Sequence, residues 1–216
     1  VLAVLLLDAG RVVSLDRLAD ALWGDEQPPS AAGSLHAYIS NLRRALRDER
    51  TPASPIVRRT PGYLLDVEPE RIDLNGFRAD ADRARAAVEA RAYSAAVATA
   101  DAALARWRGP LLADFADEEW VRPVAVHLDE RRLEARENLV TGLLGTGDVV
   151  RAAAEARELY DAGPLRERAC WLLLLALHRT GRTTEALDTY RAHAAVLDAT
   201  LGLRPGAALR DLQGAI

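Results

Sequence analysis

The sequence contains one cysteine, no methionine and no lysine, and it lacks a long apolar run. Cys170 has no cysteine partner for an internal disulfide, and its place in an apolar stretch favours a buried, unreactive thiol. The longest such stretch, 169–177, is about nine residues long, whereas a membrane-spanning helix needs roughly 20. No basic and then apolar signal segment opens the chain. These absences argue against a membrane or secreted protein, and we expect a cytoplasmic one.

The missing methionine and lysine bear on origin rather than on mechanism. All 28 basic residues are arginine, a bias typical of GC-rich genomes. Because the chain opens without methionine, inside an apolar helix-like run, we expect it to be a piece of a longer protein. Its 216 residues are half apolar and 28% charged, a composition typical of folded proteins. The length allows one large or two small domains.

The first quarter of the chain predicts three short helices. An apolar run ends before Gly10, and Ser14 then stands where a hydroxyl can cap the free backbone N–H groups of a second helix. Pro28 and Pro29 interrupt the pattern and indicate a loop. The predicted elements are 1–8, 14–23, a loop at 25–29 and a third helix that starts at Ser30 or Ser34 and runs to about Asp48.

The third helix has two distinct faces. At 100° per residue, its apolar side chains form one stripe that we expect to be buried, made of Leu35, Ile39, Leu42 and Leu46. The opposite face is small, polar and basic, and it contains Ala37, Ser40, Asn41 and Arg44. Ser34 and Tyr38 flank this face on one side, and His36, Arg43 and Arg47 flank it on the other. A helix with such a face is suited to the major groove of DNA.

A β-hairpin and a helical region follow. After a loop at 51–55, two β-prone runs, 56–60 and 63–67, surround Pro61-Gly62, which predicts a hairpin. From about Asp73 the spacing is helical throughout. The predicted helices are 75–91, 93–107, 118–144, 148–161, 165–180, 183–200 and a short one after Pro205.

The helical region contains a repeat signal, and the chain has an uneven charge distribution. The segments 147–152 and 181–186 have glycine and alanine in the same places 34 residues apart, which is the tetratricopeptide period. Between Ser30 and Leu65 there are six arginines and two carboxylates, a net charge of +4, although the whole chain carries −4. This asymmetry is typical of a nucleic-acid reader joined to an interaction domain.

Several motifs resemble those of one family. Residues 35–46 (LHAYISNLRRAL) look like the recognition helix of an OmpR-type winged helix, and 59–63 (RTPGY) look like its wing. The second half resembles the bacterial transcriptional activator domain at 103–111 (ALARWRGPL), 164–167 (PLRE), 181–187 (GRTTEAL) and 202–206 (GLRPG). Together the two halves resemble the Streptomyces antibiotic regulatory protein (SARP) family.

The resemblance implies a fold and a function. We expect a mainly α protein with an OmpR-type winged helix at 1–68 and a tetratricopeptide-like activator domain at 73–216. The implied function is transcriptional activation of a secondary-metabolite, or antibiotic, gene cluster. The implied partners are double-stranded promoter DNA with direct repeats, RNA polymerase holoenzyme and a second copy of the chain on the DNA, at the nucleoid. In the loop after the second helix, the resemblance also offers Asp25 and Glu26 as polymerase contacts.

The DNA-binding candidates divide by the chemistry of their side chains. We expect Ser40, Asn41 and Arg44 to read bases, because arginine pairs with guanine and asparagine with adenine through two hydrogen bonds. The expected phosphate contacts on the helix are Ser34, Tyr38, Arg43 and Arg47. In the wing, we expect Arg58, Arg59 and Thr60 to contact the DNA backbone or a minor groove. Neighbouring strand residues point to opposite faces, so both arginines cannot face the DNA squarely, and Arg59 ranks above Arg58 by its place in the wing motif.

Other functions have less support. The four histidines lack metal-binding spacing, Cys170 has no cysteine partner, and no acid–base pair or phosphate loop is present in the sequence. We therefore expect neither an enzyme nor a cofactor. The main alternative is a helical-repeat adaptor that binds protein only. A regulator that responds to a small molecule would need a polar pocket between the repeat helices.

Overall fold

The computed structural model describes residues 1–47 and 54–216, and this part of the chain forms two compact units. The winged-helix unit consists of Val1–Gly76 and Pro110–Pro123, and the helical unit consists of Phe77–Gly109 and Val124–Ile216. Within the described residues, no helix combines the length and the apolar character that a membrane crossing requires.

The winged-helix unit begins with the three predicted helices, which are α1 (Leu2–Leu7), α2 (Leu15–Trp23) and α3 (Ala31–Ala45). Ser14 caps α2 as predicted, because its side-chain oxygen accepts a hydrogen bond of 3.1 Å from the backbone N–H of Arg17. Ser30 precedes α3 without making a side-chain capping bond. α3 ends at Ala45, earlier than the predicted end near Asp48. Asp48 itself and most of the predicted loop at 51–55 lie outside the described residues.

Three strands form a small antiparallel sheet in the order β1-β3-β2. The hairpin of β2 (Ile56–Arg59) and β3 (Gly62–Leu65) is confirmed, but its loop consists of Thr60 and Pro61, joined by a cis peptide bond, rather than of Pro61 and Gly62. β1 (Val12–Ser14), which the sequence pattern did not predict, pairs with β3. Glycine is required at position 62, since an added Cβ would collide with the carbonyl oxygen of Val13.

The core of this unit combines the helices with the sheet. Leu5, Leu18, Leu35 and Ile56 are fully buried in one cluster. The side chain of Trp120, from the later segment of the unit, packs against the same cluster. Residues that are more than 40 positions beyond the hairpin therefore complete the winged-helix core.

The helical unit has helices wherever the sequence predicted them, with shifted ends. They are α4 (Asp73–Glu89), α5 (Tyr93–Ala105), α6 (Arg122–Thr146), α7 (Val149–Ala162), α8 (Glu167–Arg179), α9 (Thr183–Leu201) and α10 (Ala207–Ala215). The predicted start of α6 at residue 118 is wrong, because Pro123 lacks an N–H and fits only the first turn of a helix. α7, α8 and α9 pack in succession, and α10 packs against α8.

The 34-residue interval corresponds to a structural repeat. Gly147 and Gly181 both have positive φ values, +85° and +77°, and each stands two residues before the start of a helix, α7 or α9. Ala152 and Ala186, 34 residues apart, are both fully buried. Small side chains at these positions let successive helices approach closely, as in tetratricopeptide-like arrays. The expected fold class, a winged helix followed by an all-α repeat domain, is confirmed.

Candidate nucleic-acid interface

The two faces of α3 are as predicted. Leu35 and Ile39 are buried, and Leu42 and Leu46 are half-buried against the same core. On the opposite face, the exposed residues are Ala37, Ser40, Asn41 and Arg44, and Arg47, two residues beyond the end of α3, is also exposed. Arg44 lies at the centre of this exposed arc when the helix is plotted at 100° per residue. The structure therefore brings all three base-reading candidates onto one solvent-facing surface.

The wing candidates are exposed at the end of the hairpin. Arg58 and Arg59 are the last two residues of β2, and they pair with Tyr63 and Gly62 across the hairpin. Both arginine side chains and Thr60 are exposed, and the Nη1 of Arg59 lies 3.4 Å from the carbonyl oxygen of Arg58. The hairpin thus presents two cationic side chains and a hydroxyl at its tip.

Direct contacts hold α3 beside the hairpin. The Nε of Arg43 donates a hydrogen bond of 2.9 Å to the carbonyl oxygen of Ile56 in β2. The guanidinium carbon of Arg43 lies 5.6 Å from the ring centre of Tyr63 in β3, within the range of a cation–π contact. His36 also meets the Tyr63 ring, edge to face, at 6.4 Å between centroids. The proposed reading helix and wing are therefore connected through side chains.

Sequence reasoning did not identify this connection. It assigned Arg43 to phosphate and gave no role to His36 or Tyr63. The sequence did contain one signal for it, the angular position of the residues on the helix. Arg43 and His36 lie on the same flank of α3, between its exposed and its buried face. Whether Arg43 also contacts phosphate stays a prediction.

The other flank of α3 faces α2 and α1. Tyr38 is 42% exposed, and its ring lies 6.4 Å from that of Trp23 at an angle of 32°. An open, mainly apolar groove of about 410 Å³ lies here and is lined by Val1, Leu2, Leu22, Tyr38, Asn41, Leu42 and Ala45. Ser34 is half-buried at the start of the helix. Tyr38 and Ser34 therefore stand at the margin of the exposed face, as the sequence predicted.

The arginines of this surface have no carboxylate partner in the part of the chain that the structure describes. Within residues 1–47 and 54–216, no carboxylate lies within ion-pair distance of Arg44, Arg47, Arg58 or Arg59. Asp25 and Glu26 are also exposed, in the loop that follows α2. The described part of this surface therefore presents cationic donors to solvent, which is the chemistry that recognises a polyanion.

The described residues provide little for other kinds of site. They contain no group of three or more histidine, cysteine, aspartate or glutamate side chains that could hold a metal ion. Cys170 is fully buried, and burial together with the nearby Glu167 raises the pKa of its thiol to about 12. A thiol with such a pKa is protonated at neutral pH and unreactive, in agreement with the prediction.

Two family models match the chain, each over a different segment. Residues 1–65 match the family described as transcriptional regulatory protein, C terminal, and residues 72–216 match the bacterial transcriptional activator domain. The chain is 38% identical over 211 residues to the transcriptional regulator RedD of Streptomyces coelicolor, covering 96% of this chain and 60% of RedD. It is 33% identical over 222 residues to the regulatory protein DnrI of Streptomyces peucetius, covering all of this chain and 82% of DnrI.

A solved structure is similar throughout. The structure of Mycobacterium tuberculosis EmbR in complex with a low affinity phosphopeptide superposes with a TM-score of 0.93, at 33% sequence identity. The match covers 99% of this chain and 56% of that one. The chain thus spans little more than half the length of EmbR and 60% of RedD.

Proposed function

Because the chain belongs to the SARP family of transcriptional regulators, with both of the family's domains matched, we propose that it activates transcription by binding direct repeats at promoters. In this proposal it binds as a homodimer and recruits RNA polymerase holoenzyme, at the nucleoid, to a secondary-metabolite gene cluster. The observation that carries the proposal is the exposed face of α3, whose arginines have no carboxylate partner among the described residues. Such a face is matched to the phosphates and base edges of DNA.

The side chains have different proposed roles. Ser40, Asn41 and Arg44 read base edges, since they occupy the centre of the exposed face. Ser34, Tyr38 and Arg47, at its margins, contact phosphates. Arg59, with Arg58 and Thr60, contacts the backbone or a minor groove, where arginine is favoured when the groove is narrow.

The domains have different proposed tasks. We assign DNA binding to 1–68 and interactions with the transcription machinery and with a second copy to 73–216. Asp25 and Glu26 are proposed polymerase contacts, because both are exposed in the loop after α2. These assignments rest on family membership more than on geometry.

The test is an in-vitro selection from random duplex DNA, performed at about 50 mM and 200 mM salt. We expect the chain to enrich a direct repeat and to bind less tightly at the higher salt, because binding that neutralises phosphates releases counterions. Arg44→Ala should weaken the base preference at one position of the selected site, since each bidentate base contact contributes about 1–3 kcal/mol of discrimination.

The matched control is Arg191→Ala, which removes the same charge from an exposed pair with Asp188 in the helical unit. This variant should select the same site as the unmodified chain. If the unmodified chain enriches no sequence at either salt concentration, the DNA-binding proposal fails and the protein-binding adaptor becomes the better explanation.

A further inference from the structure

Arg43 is placed differently from the two nearest described arginines, Arg44 in α3 and Arg47 just beyond its end. It is half-buried, whereas Arg44 and Arg47 are exposed. Its side chain reaches both strands of the hairpin, through the hydrogen bond to Ile56 in β2 and the stacking contact with Tyr63 in β3. One side chain therefore spans from the proposed reading helix to both strands of the proposed wing.

The chemistry of these contacts requires a guanidinium group. Ile56 and Tyr63 are 1% and 4% exposed, so water has little access to the groups around Arg43. An unpaired carbonyl in such a place is unfavourable, and a charged donor forms a stronger hydrogen bond to it than a neutral one does. The guanidinium group is planar, so it can donate in its plane while its face lies over an aromatic ring.

We propose that Arg43 is a positioning residue, which fixes the wing at a set distance from α3 so that Arg59 and Arg44 engage DNA together. This inference rests on the proposed DNA binding and deepens it. Arg43 then acts on DNA through the wing instead of through a phosphate of its own. The edge contact of His36 with Tyr63 supports the same arrangement from the preceding turns of the helix.

The first experiment needs no DNA. Backbone hydrogen exchange is followed by mass spectrometry in the unmodified chain, in Arg43→Met and in Arg47→Met, which loses the same charge two residues beyond the end of α3. Arg43→Met should speed exchange in the hairpin, 56–65, by about tenfold, the effect of losing one charge-assisted hydrogen bond. Arg47→Met should leave exchange in the hairpin unchanged, and both variants should leave α2 unchanged. Equal hairpin exchange in the two variants overturns the proposal.

The second experiment is a double-mutant cycle in DNA affinity. If Arg43 acts through the wing, Arg43→Met and Arg59→Ala remove the same interaction, and the double variant binds about as weakly as the weaker single variant. Arg47→Met and Arg59→Ala should instead multiply their effects, because they remove separate contacts. In the Arg59→Ala background, Arg43→Met should leave the dependence of affinity on salt unchanged. A decrease of about one in the slope of log affinity against log salt concentration would identify Arg43 as a phosphate contact and overturn the proposal.

The two experiments separate this inference from the proposed function. If the unmodified chain binds no DNA, the proposed function fails, and the hydrogen-exchange result alone decides whether Arg43 holds the hairpin. If Arg43→Met does not fold, as judged by circular dichroism, Arg43→Gln replaces it in both experiments, since the shorter amide loses the stacking contact and the charge. Hairpin exchange in Arg43→Gln equal to that of the unmodified chain overturns the proposal.

Discussion

Arginine has opposite surroundings in the two units of this protein. In the helical unit, arginines form ion pairs with carboxylates, as in Arg83, Arg85, Arg106, Arg131, Arg136, Arg151, Arg157, Arg166, Arg182 and Arg191. In the winged-helix unit, the arginines of the exposed α3 face and of the wing have no such partner within the described ranges. The number of arginines in a segment therefore says less about DNA binding than whether carboxylates neutralise them.

Buried polar groups show the same contrast. The three buried polar or charged residues found in the described part of the chain, Asp80, Thr189 and His193, all belong to the helical unit. The helical unit encloses these polar side chains between its helices, whereas Arg44 and Arg59 of the winged-helix unit are exposed. Substitutions of the buried groups should therefore change stability, and substitutions of Arg44 and Arg59 should change binding.

The largest expected effect follows from removing Asp80. Its carboxylate accepts a hydrogen bond of 2.8 Å from Arg106 and another from Arg83, and its side chain is 4% exposed. Asp80→Ala should lower the free energy of unfolding by about 2–3 kcal/mol, less than the ~3–5 kcal/mol for a fully buried pair because both arginines reach solvent. The control is Asp82→Ala, a half-exposed carboxylate paired with Arg131, which should change stability by about 0–1 kcal/mol. Urea denaturation measures both.

Asp80 also predicts a loss of stability in acid. Burial raises the pKa of this carboxyl group, but the hydrogen bonds and charges of Arg106 and Arg83 outweigh burial and hold the pKa below its ordinary value. A lowered pKa in the folded state contributes stability that is present above about pH 4 and is lost as the pH falls further. Asp80→Ala should therefore show a weaker dependence of stability on pH below about pH 4.

The next effect is that of Arg166. Its Nε and Nη2 donate to Glu137 at 3.1 and 2.9 Å, and its Nη1 donates to Glu130 at 2.5 Å. Arg166→Met should destabilise the helical unit by about 1–2 kcal/mol, because the half-buried Glu137 loses its charged donor. Arg191→Met, in an exposed pair, should change stability by less than about 0.5 kcal/mol. Equal effects of Arg166→Met and Arg191→Met would contradict the expectation that a half-buried ion pair contributes more stability than an exposed one.

A smaller, pH-dependent effect is expected at His193. Its Nδ1 lies 3.1 Å from the carbonyl oxygen of Pro164, and its Nε2 is buried without a partner among the described residues. Burial lowers the pKa of this imidazole, so the folded protein keeps it neutral where the unfolded chain takes up a proton. Stability should then fall as the pH drops below about 6.5. His193→Gln should flatten this dependence between pH 7.5 and 5, whereas the exposed His178→Gln should preserve it.

The smallest effect on stability is expected on the exposed face of α3 and in the wing. Arg44→Ala and Arg59→Ala should leave the free energy of unfolding within about 0.5 kcal/mol of the unmodified value, because neither side chain has a carboxylate partner in the described structure. Arg44→Ala should nevertheless reduce affinity for the selected DNA by about tenfold or more. A loss of stability above ~1 kcal/mol would show that these arginines are structural and would remove the distinction between the units.

Local patterns predicted most of the fold. Apolar spacing located every α-helix of the described chain, though not its two short 3-10 helices, and Ser14 was identified as a cap from its chemistry alone. β1 was missed because three residues, Val12–Ser14, are too few to show an alternating pattern. Their strand conformation depends on pairing with β3, about 50 residues later in the chain.

The sequence shows the family motifs of the helical unit, but only the structure shows the contacts that these motifs make. Residues 164–167 and 202–206 meet in the structure, where the carboxylate of Glu167 accepts a hydrogen bond of 2.7 Å from the backbone N–H of Gly206. Pro164 holds His193 through its carbonyl oxygen. The motifs therefore connect α8, α9 and α10, which no local pattern could indicate.

The sequence by itself determined the helices, the hairpin, the repeat and the face of α3 that carries Ser40, Asn41 and Arg44, because each depends on the spacing of neighbouring residues. Only the tertiary structure decided which arginines lack a carboxylate partner among the described residues and that Arg43 connects α3 to the hairpin. Arg151 pairs with Asp101, fifty positions away in the sequence, and Arg43 donates to the carbonyl oxygen of Ile56, thirteen positions away. Electrostatic pairing depends on distance in space, and the fold sets that distance.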